Sequence, residues 1–211
     1  MQIDIISDVV CPWCYVGLRR LEQALQQTPP PQPVQLRWHG FELNPDMHEQ
    51  GVSRTQYLMG KFGTTEPPHL ARLSAIGQEL GIAFNWAAMT HQPHTAALHA
   101  MVAQAPDPSA LMQALFDGFF IQGLNLANHQ HLTQLAQPLG LSAQWVAEHS
   151  QLTPTARAQR QQQLAQWQQM GVQGVPFFVF NQRVGVSGAQ TPDVLRQAMA
   201  QAMTEATPAP E

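Results

Sequence analysis

The sequence predicts an α/β fold in which a β-α-β unit and a later β-β-α unit complete one sheet around an inserted all-helical block. Three observations predict it. Apolar residues alternate with the period of a strand near both ends of the chain and recur with the period of a helix between them. Proline- and glycine-rich breaks, TPPPQP and the stretch around GVQGVP, stand where the period changes. The only two cysteines, Cys11 and Cys14, fall between the first strand pattern and the first helix pattern.

Each element follows from its residues. Ile3, Ile5 and Ile6 in QIDIIS are β-branched apolar residues of a strand. Pro12 suits the first position of a helix, where its missing N–H costs nothing, and Leu18, Leu21 and Leu25 recur at helical spacing. Val34, Leu36 and Trp38 alternate as a second strand, which makes residues 1–39 a β-α-β unit with a right-handed crossover. The pattern is then helical to about residue 170. Phe116, Phe119 and Phe120 belong to its core, Gly140 and Ser142 mark a helix end and a helix start, and Thr153-Pro154 opens a Gln-rich helix striped by Leu164, Trp167 and Met170. VPFFVF and RVGVS are short strands joined at Asn181-Gln182, and Thr191-Pro192 starts a last helix with Val194, Leu195, Ala198, Met199 and Ala202 on one face. The layout is that of a thioredoxin-like fold: N-terminal half 1–39, helical insertion 40–170, C-terminal half 171–203 and a disordered tail 204–211.

Composition excludes several classes of function. The chain has 211 residues, a formal net charge of −4 and only 11% charged residues, against roughly 25% in an average domain. No Lys/Arg run offers a nucleic-acid footprint or a polybasic membrane patch. No apolar run approaches the roughly 18 residues of a membrane span, and MQIDIISDVV lacks the basic start of a signal peptide. A cytoplasmic protein is expected, where stable disulfides are rare and a close cysteine pair is catalytic or metal-binding.

A bridge between Cys11 and Cys14 would close almost no loop, so it would add little by constraining the unfolded chain. The pair therefore points to chemistry. At a helix N-terminus, free N–H groups and the positive end of the dipole favour a thiolate. Cys11, nearer the end and the solvent, is expected to be the nucleophile, and Cys14, one turn in, the resolving thiol. Structural zinc needs four ligands, usually with a second cysteine pair or an HxxxH. His91, His94, His99, His129 and His131 come without one, so no metal is expected. Asp8, close by in sequence, is expected to face solvent from its loop.

Taken with these motifs, the chain resembles the DsbA-like branch of the thioredoxin superfamily, and within it the FrnE-type oxidoreductases. The resemblance rests on DVVCPWCYVG, WHGFELNPDM, HTAALHAM, LFDGFFIQGLNLANHQHLTQLAQPLGL and GVQGVPFFVFNQRVGVSGAQ, in order and over nearly the whole chain. It implies a cis-proline loop at Val175-Pro176 facing the dithiol, with Pro12, Trp13, Val175 and Pro176 contacting substrate. It also implies thiol–disulfide exchange through Cys11-Pro12-Trp13-Cys14 with no cofactor, on protein or small-molecule thiols and disulfides, glutathione among the candidates. Two positions depart from the pattern. His94 stands where the family usually has Asn, and Trp13 stands where a histidine would stabilise the thiolate.

Two other functions compete. One is a glutathione-dependent isomerase or transferase of the 2-hydroxychromene-2-carboxylate isomerase and kappa type, which uses Ser in the active-site position. Cys11 and the retained Cys14 argue against it, since a transferase needs no resolving thiol. The other is a non-enzymatic thioredoxin-fold binding or chaperone module with an idle CxxC.

Overall fold

The computed structural model describes residues 1–151 and 153–204, so most of the tail expected over 204–211 lies outside the described residues. The chain begins with β1 (Gln2–Ser7), α1 (Pro12–Gln27) and β2 (Gln35–Gly40). Then come β3 (Val52–Ser53), α2 (Arg54–Phe62), α3 (His69–Glu79), β4 (His91–Gln92), α4 (Ala96–Gln104) and α5 (Pro108–Phe120). It continues with α6 (His129–Ala136), α7 (Ala143–His149) and α8 (Pro154–Gln169), and closes with β5 (Phe177–Phe180), β6 (Val184–Ser187) and α9 (Pro192–Thr204). This is the mixed α/β architecture of a thioredoxin-like fold.

The main sheet has the order β2-β1-β5-β6. β1 runs parallel to β2, with Ile5 opposite Trp38, and antiparallel to β5, with Ile5 also opposite Phe178. A parallel pair cannot be joined by a hairpin, and α1 supplies the crossover. β5 and β6 are joined at Asn181 and Gln182, whose φ values of 48° and 59° are those of a type I′ turn. Asn181 suits that backbone, and its side chain also accepts from the Gln2 N–H at 2.9 Å and donates to the Ala202 carbonyl at 3.1 Å.

Successive strand side chains point to opposite faces, so β1 joins two cores. Ile3 and Ile5 pack with Leu21, Phe178, Phe180, Leu195 and Met199. Ile6 turns the other way, to Phe41, Val172 and Val179, with Leu164 and Trp167 of α8 against them. A third core joins α1 to the helices between the halves. Phe116, Phe119 and Phe120 are buried there beside Cys14, Tyr15 and Leu18, and the Tyr15 ring stacks on Phe116 with centroids 5.1 Å apart. Helix α1 is thus held between the sheet and the helical block, which fixes where its N-terminus stands.

Three details differ from the sequence expectation. The block is not all-helical, because Val52 pairs with Gln92 and Ser53 with His91 in a small antiparallel ladder. Strands of two residues carry no period to read. On α8 the stripe stops at Trp167: Met170 lies past the helix end and is 67% exposed. On α9 the buried face is Leu195, Ala198, Met199 and Ala202, while Val194 is exposed.

Candidate active site

The loop between β1 and α1 is short, and Asp8 holds it closed. Its carbonyl accepts from the Cys11 N–H at 3.0 Å. Its carboxylate accepts from the Leu43 N–H at 2.8 Å and the Val10 N–H at 3.4 Å, and meets His99 Nε2 at 3.3 Å. The carboxylate is closed to solvent, which corrects the expectation that Asp8 faces water. Backbone donors and an imidazole from α4 supply the partners that a buried carboxylate requires. His99 was visible in the sequence only as one histidine among nine. Nothing local marks it, because its partner lies 91 positions away.

Cys11 takes the N-cap position of α1, with an extended φ of −92° and Pro12 following at the start of the helix. The Cys11 carbonyl accepts from the Cys14 N–H at 3.0 Å, so the second cysteine sits one turn in. No acidic residue occupies the first turn, so nothing within α1 itself offsets the positive end of its dipole.

The expected contrast in exposure is absent. Cys11 is 4% exposed and Cys14 is 2% exposed. Cys11 is covered because its sulfur faces the Val175 carbonyl at 3.8 Å across the chain, beneath the loop that carries Pro176. The Val175–Pro176 bond is cis. The Pro176 carbonyl is engaged by the Gly188 N–H at 2.8 Å. Gly17, in the second turn of α1, lets the proline pack close: a Cβ there would stand 2.8 Å from Pro176 Cγ.

The two thiols differ in electrostatics. Burial, first of all, pushes the Cys14 thiol up well above its ordinary range, and the adjacent Cys11 sulfur adds to it by hydrogen bonding and by charge. The Ser7 side chain and the Asp8 backbone pull it down by less. The half-buried Trp13, between the cysteines, carries the Arg72 guanidinium of α3 over its ring at 5.7 Å.

His94 stands apart from the dithiol contacts. Its Nδ1 accepts from the Ala96 N–H at 3.2 Å at the start of α4, and its Nε2 lies 3.6 Å from a Glu42 carboxylate oxygen. It lines a polar cleft of about 520 Å³ with His91, His129, Asn125 and Glu49, and none of residues 11–14 lines that cleft. Among the described residues no cluster of His, Cys, Asp and Glu is arranged to hold a metal. None of the described helices is long and apolar enough to cross a membrane.

A four-stranded sheet, a crossover helix whose first turn carries CPWC, and a proline loop facing the first cysteine define a thioredoxin-like dithiol protein of the DsbA type. The DSBA-like thioredoxin domain matches residues 2–200, and the chain belongs to that family. It is similar to the crystal structure of the probable DsbA oxidoreductase SCO1869 from Streptomyces coelicolor, with 32% identity and a TM-score of 0.87 over 100% of this chain and 93% of that one. It is 24% identical to the uncharacterized protein YwbO of Bacillus subtilis (strain 168), over 94% of this chain and 96% of that protein. The fold is also that of a 2-hydroxychromene-2-carboxylate isomerase, at 15% identity and a TM-score of 0.68 over 97% of each chain.

Proposed function

We propose that the protein is a thiol–disulfide oxidoreductase of the FrnE type that works through Cys11 and Cys14. The observation that carries the reading is the seating of Cys11: at the N-cap of α1, its sulfur turned to the Val175 carbonyl of the Pro176 loop. Cys11 attacks a substrate disulfide as the thiolate, bonds to one sulfur and releases the other as a thiolate. Pro12, Trp13, Val175 and Pro176 contact the substrate, whose chain lies extended along the Pro176 loop. Cys14 then loses its proton and attacks Cys11 Sγ, which frees the second substrate thiolate and leaves the Cys11–Cys14 disulfide. A low-molecular-weight thiol such as glutathione returns the pair to the dithiol. Run backwards, the same steps oxidise a substrate dithiol.

The electrostatics support this order. While Cys11 is a free thiolate, its charge and burial keep Cys14 protonated. Once Cys11 is bonded to substrate that charge is gone, so Cys14 loses its proton more easily than in the free dithiol, with burial as the main barrier left. No cofactor is required, and with only two cysteines, placed as a working pair, the chemistry suits a reducing cytoplasm.

Reduction of insulin with dithiothreitol tests the reading. The wild-type protein should accelerate it, Cys11→Ser should abolish the acceleration, and Cys14→Ser should accumulate mixed disulfides on Cys11. Full activity in Cys11→Ser would overturn it. Glutathione conjugation that survives Cys14→Ser unchanged would point instead to transferase or isomerase chemistry.

A further inference from the structure

Arg72 makes no hydrogen bond and no ion pair among the described residues. Several other cations are engaged: Arg19 with Glu22, Arg20 with the Ala189 carbonyl, Arg157 with Glu49 and Arg196 with Asp193. Arg72 is exposed on α3, which packs against α1 and brings the guanidinium over the Trp13 ring. A guanidinium resting on an aromatic ring keeps its N–H edge free, and that edge matches a carboxylate with two parallel hydrogen bonds. The protein as a whole carries a net charge of −4, so a free cation inside the CxxC surface runs against the charge of the molecule.

We infer that Arg72, held over Trp13, forms a subsite for a carboxylate flanking the substrate disulfide, so that acidic disulfides are preferred. The inference rests on the exchange reading above and names its substrate class. The bond changes remain those of the dithiol. Cys11 Sγ bonds to one substrate sulfur, the other sulfur leaves as a thiolate, and Arg72 keeps its protons while it holds the carboxylate.

The size of the effect follows from charge and distance. Two opposite unit charges about 6 Å apart at a watery surface attract enough to change a rate about threefold at low salt. Salt screens that attraction, because the Debye length falls to about 3 Å at 1 M.

The test compares reduced full-length protein with Arg72→Gln and Arg72→Lys in reaction with an anionic disulfide (3,3′-dithiodipropionate), a neutral one (2-hydroxyethyl disulfide) and a cationic one (cystamine). Arg72→Gln should lower the anionic-to-neutral rate ratio about threefold and raise the cationic-to-neutral ratio by a similar factor. Arg72→Lys should keep most of the wild-type ratio, and 1 M salt should erase the difference between wild type and Arg72→Gln. Ratios equal in all three proteins would overturn the inference and leave exchange intact. Failure to react with any disulfide would overturn the exchange reading. In that case the ratio of iodoacetate to iodoacetamide labelling at Cys11 still decides on Arg72. An unchanged ratio in Arg72→Gln overturns the subsite, and a fall supports an anion site beside the thiol.

Discussion

The carboxylate of Asp8 and the imidazole of His99 meet at 3.3 Å with both side chains closed to solvent. The pair stands directly behind the dithiol loop, since the Asp8 carbonyl also accepts from the Cys11 N–H. One carboxylate thereby joins the CxxC loop, the backbone after β2 through Leu43, and α4 through His99. The position of Cys11 depends on three segments far apart in the chain.

Asp8→Ala should therefore destabilise the protein by about 1–3 kcal/mol, the usual cost of leaving buried hydrogen-bond donors unsatisfied. Asp8→Asn keeps one acceptor oxygen and should cost less. Urea unfolding of the two variants measures the difference. Equal midpoints for Asp8→Ala and wild type would show that the carboxylate holds nothing.

Cys14 should resist alkylation. Its pKa is pushed up mainly by burial, so at neutral pH it stays a thiol, and only the thiolate reacts. Iodoacetamide followed by mass spectrometry of the reduced native protein should find label on Cys11 first. In Cys11→Ser the charge of Cys11 is removed but burial remains, so Cys14 labelling should still rise only at pH above the ordinary thiol range. Equal labelling of both residues at pH 7 would contradict this.

Much of the fold was legible because its signals are local. Ile3, Ile5 and Ile6 gave a strand, Leu18 and Leu21 gave the buried side of α1, and Asn181-Gln182 gave the hairpin, each from a few neighbouring residues. The site was legible only as far as CPWC and the Val-Pro step carried it. Burial of Asp8 is decided by Leu43 and His99, 35 and 91 positions away, and no periodicity reports such a partner. The same holds for the covering of Cys11 by Val175, 164 positions away, and for the placement of Arg72 over Trp13. Sequence reading placed the two cysteines at one helix end and could not see the walls around them.

Tyr15 makes a second, measurable connection between α1 and the helical block. Its hydroxyl donates to Asp117 and accepts from Gln113 and Arg19, each at 3.2 Å. Burial first, then Asp117, push its pKa up to about 12, against a smaller downward pull from Arg19. A folded pKa above the unfolded value of about 10 means the unfolded chain gives up the proton first as pH rises. The contribution of Tyr15 to stability is complete below pH 10 and falls between about 10 and 12, by up to about 1.4 kcal/mol per pH unit. Spectrophotometric titration of Tyr57→Phe, which leaves Tyr15 as the only tyrosine, should show a midpoint near 12. Tyr15→Phe should lose about 1.5–3 kcal/mol at neutral pH, the range for a hydrogen bond to a charged group.

Gly17 offers the sharpest separation of site geometry from stability. It lies inside α1, where replacing glycine with alanine ordinarily favours the helix by up to about 1 kcal/mol. Here a Cβ would come within 2.8 Å of Pro176 Cγ and 3.2 Å of Phe178 Cζ. Neither neighbour yields easily, because Phe178 is fully buried and the Pro176 carbonyl is tied to Gly188. Overpacking of this kind costs about 1–3 kcal/mol, so the helix gain and the clash roughly offset or leave a modest loss. The displaced part is the proline loop, and with it the Val175 carbonyl that faces Cys11 at 3.8 Å. Gly17→Ala should therefore leave the thermal midpoint within a few degrees of wild type while lowering the rate of insulin reduction at least tenfold. Full activity at an unchanged midpoint would mean that exchange does not need the Pro176 loop where this structure holds it.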